Sequence, residues 1–169
     1  MIDIVQFSGE SFPLGFTKVL LTKQLHIIEG GSDAVNRRAV ENKQVDILLS
    51  PEKGRSKKYL HQRDAGLNQI LCKLAKKNKI AIGFSFSSLL HAKDLSWTLG
   101  QMLQNIRLCR KFKVKMIIAS FAKNKWEMRA ASDLLAFATI LGLTPKEAKA
   151  SLNFQKKTRD LKVITPKPL

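Results

Sequence analysis

The sequence has few of the residues from which most enzyme and metal sites are built. It contains two cysteines, three histidines and one tyrosine in 169 residues. The histidines, His26, His61 and His91, stand alone, so no zinc-type spacing is present. Walker A, G-x-G-x-x-G and G-x-S-x-G motifs are missing. These absences give no support to a metalloenzyme, a P-loop nucleotide hydrolase or a serine hydrolase, and we predict neither catalytic nor metal-binding residues.

Long apolar runs are also missing. No run reaches the roughly 18 residues that a membrane span needs, and the first residues lack the basic segment and apolar stretch of a secretion signal. Cys72 and Cys109 fall on apolar helical stripes, which favours two reduced core thiols. They are too few and too far apart to suggest a zinc site. These features predict a cytoplasmic protein without a membrane partner.

Negative charge is scarce after residue 50. Residues 1–50 carry five Lys/Arg against six Asp/Glu, whereas residues 51–169 carry twenty-five against seven. The chain as a whole has a formal net charge of +17, which is more than solubility requires. Such an asymmetry indicates a polyanionic partner, most often a nucleic acid.

The apolar residues predict strands that alternate with helices. The predicted strands are nearly continuous apolar runs, as in parallel sheets covered on both faces, at residues 2–7, 17–21, 25–29, 45–50, 80–86 and 115–120. Helical periodicity and capping residues predict five helices. Four of them cover residues 33–42, Asp64 to Asn78, Asp94 to Lys111, and Ser132 to just before Gly142. The fifth begins at a capping box formed by Thr144 and Glu147.

This alternation predicts a single α/β domain with a parallel sheet, either a barrel or a doubly wound fold. The domain is expected to span residues 1–153, followed by a basic arm over 154–169. The segment 8–16 is too short and too rich in Gly and Pro for a crossover helix, so the first strand–helix unit is expected to be irregular.

Two basic loops follow predicted strands, at 52–63 and at 121–129. Ligands bind at the carboxyl ends of strands in α/β folds, so these loops are expected to share one phosphate-binding rim. The second loop contains Phe121 and Trp126, which we expect to pack as caps on the fold. Stacking on nucleic-acid bases is the alternative interpretation for both side chains.

Several segments resemble one known family when they are taken together and in order. They are EGGSDAVNRRAVE (29–41), VDILLSP (45–51), RDAGLNQILCKLA (63–75), KIAIGFSFSSLL (79–90), ASFAKNKWEMR (119–129), SDLL (132–135) and AKASL (148–152). Over roughly residues 25–153 the chain resembles archaeal ribonuclease P protein component 3, the counterpart of the eukaryotic thirty-kilodalton subunit. Gln69 stands where family members often have His, and the loop 50–63 looks enlarged.

The resemblance implies a TIM-like (β/α) barrel, related to the polymerase-and-histidinol-phosphatase type but without its metal-binding histidines. The N-terminal part is expected to be reduced. The family's protein is not the catalyst: ribonuclease P RNA, with magnesium, removes the 5′ leader from precursor tRNA. We therefore expect no cofactor on the protein, ribonuclease P RNA and ribonuclease P protein component 2 as partners, and precursor tRNA reached through the holoenzyme.

The expected RNA-binding residues come from two sources. The resemblance implies Arg37, Arg55 or Arg63, Lys77, Lys111 and Arg129, and the two basic loops add Lys57, Lys58, Lys123 and Lys125. The predicted function is to bind and stabilise the catalytic RNA electrostatically as a subunit of ribonuclease P. The alternatives are a stand-alone barrel phosphoesterase or nuclease, and a generic RNA-binding protein.

Overall fold

Six parallel strands form the centre of the fold. The computed structural model describes residues 1–8, 14–55 and 64–155. All six predicted strands are present and each is slightly shorter than its apolar run: β1 (Ile2–Val5), β2 (Lys18–Leu21), β3 (Ile27–Glu29), β4 (Ile47–Leu49), β5 (Ala81–Ser85) and β6 (Met116–Ala119). The α/β class predicted from the sequence is confirmed.

The strands pair in chain order. One parallel sheet has the order β3-β4-β5-β6, and β1 and β2 form a second parallel pair. Backbone hydrogen bonds connect the two sheets just beyond the end of β6. The amide of Phe121 donates to the carbonyl of Ile4 at 2.8 Å, and the amide of Gln6 donates to the carbonyl of Ala122 at 2.8 Å. The strand β1 therefore lies beside the segment that follows β6.

The described residues also form six helices and two 3-10 turns, which lie between the strands or after β6. The helices are α1 (Asp33–Glu41), α2 (Gln69–Lys77), α3 (Phe86–Leu90), α4 (Leu95–Phe112), α5 (Ala131–Ile140) and α6 (Pro145–Ser151), and the 3-10 turns are Thr22–Gln24 and Lys125–Glu127. No helix in the described part of the chain combines the length and hydropathy needed to cross a membrane.

Most predicted helix ends are confirmed. Asp94 accepts a hydrogen bond from the amide of Trp97, and Thr144 and Glu147 form the expected capping box. The start of α2 at Asp64 is wrong. Asn68 is the N-cap instead, because Gly66 has a φ of +85°, which interrupts a helix. The short helix α3 was not predicted, since its residues continue the apolar run of β5.

Alternate strand residues build two apolar layers. One side packs against the helices in the large core cluster, with Leu48, Ile82, Phe84 and Ile118 from the strands. The opposite side forms an inner cluster with contributions from all the strands, namely Ile4, Leu20, Ile27, Ile47, Leu49, Ala81, Ile117 and Ala119. Phe154 also packs into this inner cluster, so the core extends one residue into the predicted arm. The rest of that arm, from Lys156, lies outside the described residues.

A buried carboxylate holds β1 to the end of β6. Asp3 is fully buried, and its Oδ1 accepts from the amides of Ser120 at 2.7 Å and Ile4 at 2.9 Å. Its Oδ2 accepts from the hydroxyl of Ser120 at 2.6 Å. Burial raises the pKa of Asp3, although the hydrogen bonds from Ser120 and Ile4 oppose that rise. Three donors therefore depend on one side chain for their partner.

Replacing this carboxylate tests its structural role. Asp3→Ala should lower the free energy of unfolding by about 2–4 kcal/mol, because it leaves buried donors of Ser120 without an acceptor. Urea denaturation measures the change. Asp133→Ala, at an exposed acid in the first turn of α5, is the matched control and should cost about 1 kcal/mol or less. Equal losses in the two variants would contradict the proposed connection.

Candidate nucleic-acid interface and an adjacent cavity

Five exposed lysines lie together at the amino ends of β5 and β6. The two strands are paired, with the amide of Ile82 donating to the carbonyl of Lys115 at 2.9 Å, so the turns that precede them are neighbours. Neither turn contains an acidic residue over 76–80 or 110–115. We call this the amino-end surface, and its lysines are Lys76, Lys77, Lys79, Lys111 and Lys113.

The two turns share one backbone geometry. In the first, the amide of Ile80 donates to the carbonyl of Ala75 at 2.8 Å; in the second, the amide of Val114 donates to the carbonyl of Cys109 at 2.8 Å. This is the Schellman motif, in which the residue after the helix adopts the left-handed conformation and is usually glycine. The helix α5 ends in the same way, with Gly142 at a φ of +81°.

Lysine occupies the left-handed position in both turns of the amino-end surface. Lys79 has a φ of +54° and Lys113 a φ of +55°. A residue with a Cβ atom costs about 1 kcal/mol or more in this conformation, whereas glycine does not. The chain therefore carries two lysines at positions where glycine would fit the backbone better.

A hydrogen bond joins a third turn to this region. The side-chain amide of Asn78 donates to the carbonyl of Val40 at 2.7 Å, so the end of α1 lies beside the end of α2. Asn78 thereby fixes the position of the turn that carries Lys79. The amino-end surface is built on helix ends that are tied to each other and to the strands.

The predicted RNA-binding residues are divided between the two ends of the strands. Lys77 and Lys111 belong to the amino-end surface, and Arg37 lies exposed on α1, where it pairs with Glu41 at 2.8 Å. The loop after β6, at the opposite end, carries Lys123, Lys125 and Arg129. Of the remaining predictions, Lys57, Lys58 and Arg63 fall outside the described residues, and Arg55 lies inside them.

Arg55 has a structural role that the sequence did not reveal. Its side chain is 7% exposed, and Nη1 donates to the carboxylate oxygens of Asp64 at 2.5 and 2.6 Å. Nη2 donates to Asp33 at 2.6 Å and to the carbonyl of Gly31 at 2.9 Å. The guanidinium therefore fastens the loop after β4 to the start of α1, and these contacts must break before Arg55 can grip a phosphate.

The loop after β6 is organised around Glu127. Its carboxylate accepts from the hydroxyl of Ser87 at 2.7 Å, from the amide of Lys123 at 2.9 Å and from the side chain of Asn124 at 3.0 Å, and its Oε1 pairs with His91 Nε2 at 3.1 Å. Burial raises the pKa of Glu127, but the hydrogen bonds and the charge of His91 outweigh it and lower the pKa to about 2. The carboxylate is thus ionised at neutral pH.

The two aromatic residues of this loop differ in their environment. Phe121 is fully buried in the inner cluster, which confirms the packing expected for it. The same expectation is wrong for Trp126, which is 74% exposed. The 3-10 turn, capped by Asn124, holds Trp126 on the outside, with Lys125 Nζ at 4.9 Å from the ring centroid.

A cavity of about 470 Å³ opens at the carboxyl ends of the strands. Residues that follow or end β1, β3, β4 and β5 line it, together with the start of α4 and Lys123 from the loop after β6. Its walls include the hydroxyls of Ser50 and Ser88, which lie 3.3 Å apart, and the indole of Trp97. This is the end of the sheet where α/β folds place their ligands.

Glu52 lines this cavity and is buried. The residue is 4% exposed, and its Oε2 accepts from the side-chain amide of Asn105 at 3.2 Å. Neither Glu52 Oε1 nor Asn105 Oδ1 has a hydrogen-bond partner among the described residues. Burial raises the pKa of Glu52 to about 7, although hydrogen bonds from its own amide and from Asn105 oppose that rise.

The sequence did not single out Glu52, Trp97 or the two left-handed lysines. One available signal was the position of Ser50-Pro51-Glu52 directly after a strand, at the end of the sheet where ligands bind. For Lys79 and Lys113, the signal was a lysine instead of glycine at a helix-to-strand junction. In the described ranges, no group of three or more His, Cys, Asp or Glu is arranged to hold a metal ion.

The raised pKa of Glu52 predicts a pH-dependent stability. Between about pH 4.5 and pH 7, Glu52 is protonated in the folded state, whereas in the unfolded chain, where the pKa of Glu52 is about 4.5, the proton is already lost. Folding is therefore penalised as pH rises from about 4.5 to 7, and the penalty levels off above 7. Glu52→Gln removes the titrating group, so its stability relative to the parent should rise between pH 5 and pH 8, by about 3 kcal/mol at most.

Urea denaturation at a series of pH values measures this difference. Glu41→Gln is the matched control, because Glu41 is an exposed acid on α1. Its stability relative to the parent should stay nearly constant between pH 5 and pH 8. Parallel pH profiles for Glu52→Gln and the parent would show that the carboxyl group is not held in its protonated form.

Comparisons with known proteins point to one family. The model of the RNase P subunit p30 family matches residues 10–157. Among curated relatives, ribonuclease P protein component 3 of Thermococcus gammatolerans is 40% identical over 134 residues, which cover 78% of this chain and 59% of that protein. The component 3 of Methanosarcina mazei is 38% identical over 129 residues, covering 75% and 51%. The chain thus spans between half and three-fifths of the length of these two relatives.

A solved structure agrees with the sequence comparisons. A chain in a structure described as the cryo-EM structure of archaeal ribonuclease P with mature tRNA matches with a TM-score of 0.70 at 25% identity. The match covers 90% of this chain and 87% of that one. The chain therefore belongs to the RNase P subunit p30 family.

Proposed function

We propose that the chain is a protein subunit of ribonuclease P, the ribonucleoprotein that removes 5′ leaders from precursor tRNA. The family match and the names of the relatives support this assignment. The structural neighbour belongs to an archaeal ribonuclease P that was solved with mature tRNA. The subunit's task is to neutralise phosphates of the catalytic RNA, for which a net charge of +17 is suited.

The observation that carries this proposal is the pair of left-handed lysines on the amino-end surface. Cations near the ends of α2 and α4 are favourable for the helix dipoles, and that alone explains lysines at 76, 77 and 111. It does not explain Lys79 and Lys113, where glycine would relieve the backbone. A phosphate-binding role gives these two side chains a function that offsets their conformational cost.

The finer features of the proposal follow from the family and from the inner cluster. We propose that the strands are part of a TIM-like barrel, because residues of all six contribute to one shared apolar interior. A relation to the polymerase-and-histidinol-phosphatase type remains a prediction. We also propose that the chain binds ribonuclease P protein component 2, that the RNA subunit binds magnesium and that precursor tRNA is reached through the holoenzyme. A cytoplasmic location is proposed as well.

Glycine substitutions separate RNA binding from stability. Lys79→Gly and Lys113→Gly should leave the free energy of unfolding unchanged or raise it by up to about 1 kcal/mol. Glycine removes the strain of the left-handed conformation, which stabilises the folded state. It also adds conformational entropy to the unfolded chain, which offsets part of this gain in the free energy of unfolding. Binding to ribonuclease P RNA should nevertheless weaken. If both lysines contact phosphates, the double variant should lower the slope of log affinity against log salt by about 2.

Filter binding or fluorescence anisotropy at several salt concentrations measures the slope. Lys23→Gln is the matched control, because it removes one exposed lysine just after the carboxyl end of β2. It should leave the slope within one unit of the parent. An unchanged slope in the double glycine variant would remove the amino-end surface from the interface. Defined 5′ processing of precursor tRNA by the chain alone would favour the alternative of a stand-alone nuclease.

A further inference from the structure

We propose that the cavity at the carboxyl ends of the strands binds one nucleotide of an RNA strand, with the base against Trp97 and the phosphate at Lys93 and Lys123. This inference rests on the proposed function for the identity of the polymer. It concerns the opposite end of the strands from the amino-end surface. The nucleotide would be unstacked from its neighbours, as in single-stranded RNA segments that proteins recognise.

The cavity has the size and rigidity of a ligand site. Its volume of about 470 Å³ lies within the range of typical small-molecule pockets, about 300–1,000 Å³. The hydroxyl of Ser85 accepts from the amide of Ser88 at 3.0 Å, and Ser88 in turn contacts Ser50. On the other side, the indole N–H of Trp97 donates to the carbonyl of Arg55 at 3.4 Å, and Arg55 is held by its ion pairs. The walls are formed without a ligand.

A buried polar group in the wall lacks a partner. Glu52 Oε1 makes no hydrogen bond within the described part of the chain, and the adjacent Asn105 Oδ1 makes none either. Buried polar atoms in folded proteins are nearly always hydrogen-bonded. A carboxyl group with a pKa of about 7 can accept or donate a hydrogen bond at neutral pH. A base edge presents both donors and acceptors, and it would complement this group once the side chains that cover the oxygen move aside.

Two lysines without an ion pair among the described residues line the cavity, together with the acids Glu52 and Asp94. Lys93 and Lys123 line it, are exposed and form no ion pair with any residue in the ranges 1–8, 14–55 and 64–155. Lys53 also lies at the cavity but pairs with Glu29 at 2.5 Å. These groups match the parts of a ribonucleotide. The two ammonium groups suit the phosphate, the indole and the carboxyl group suit the base, and the serine hydroxyls suit the sugar hydroxyls.

Mononucleotides test the cavity without a long RNA. The full chain is titrated with each of the four ribonucleoside 5′-monophosphates and, separately, with inorganic phosphate, and binding is measured by calorimetry. At least one mononucleotide should bind with saturation, and more tightly than phosphate. Trp97→Leu should weaken that binding by about fivefold or more, because base stacking on the indole is lost. Glu52→Gln should alter which base is preferred.

The matched control is the second tryptophan of the chain. Trp126→Phe removes an exposed indole outside the cavity and should leave mononucleotide affinity unchanged. Circular dichroism establishes that each variant is folded. In the Trp126→Phe background only one tryptophan remains, so quenching of its fluorescence by the mononucleotide reports directly on Trp97. Lys93→Gln with Lys123→Gln should weaken nucleotide binding while Trp97 is left intact.

Cross-linking to ribonuclease P RNA connects the cavity to the polymer. RNA substituted with 4-thiouridine should cross-link to a peptide that lines the cavity, and Trp97→Leu should reduce this cross-link selectively. No saturation by any mononucleotide at millimolar concentration, or phosphate binding as tight as nucleotide binding and insensitive to Trp97→Leu, would overturn the inference.

The two proposals can fail separately. If the chain binds ribonuclease P RNA through the amino-end surface but neither binds mononucleotides nor cross-links at the cavity, the cavity inference is wrong and the proposed function stands. If mononucleotides bind but ribonuclease P RNA does not, the proposed function is wrong, and so is the assignment of the nucleotide to that RNA.

Discussion

The parallel direction of the strands is the constraint on which the rest of the structure depends. Because every paired strand runs the same way, the ends of helices that lead into strands collect at one end of the sheet. The loops that leave the strands collect at the other. The amino-end surface and the cavity are therefore separated by the fold itself. The buried Asp3 joins β1 to the segment after β6, at the carboxyl end of that strand.

Ion pairs with acidic residues reduce the charge repulsion within this basic chain. Asp33 and Asp64 hold Arg55, and Glu147 holds Arg110 at 2.8 Å, so these carboxylates neutralise cations within the fold. The lysines at the ends of α2 and α4 have no acid in their own turns. Their mutual repulsion would be relieved by the phosphates of the RNA in the proposed function. The surplus charge is consistent with a chain whose counterions are the phosphates of a partner.

Local sequence patterns predicted the structural features that depend on residues close together in the chain. They failed for the features that depend on contacts between distant segments. The strands and the capping box at Thr144 follow from short-range hydrophobicity and capping chemistry. The helix start at Asp64 was wrong because Gly66, in the left-handed conformation, interrupts the helix. The carboxylate of Asp64 binds Arg55 instead of capping the helix, in a contact that periodicity does not reveal. The buried state of Glu52 depends on Asn105, far along the chain. The geometry of the left-handed lysines is visible only once the turns are built.

A β-strand advances about 3.3 Å per residue, so strands of three to five residues separate the two ends of this sheet by only about 10–16 Å. A single RNA fold engaged at both ends would be gripped bivalently across that thickness. The second contact would then form intramolecularly, at a high effective concentration, and avidity would follow from two individually weak sites. Under the proposed function, the chain would act as a spacer that sets the distance between two parts of the RNA.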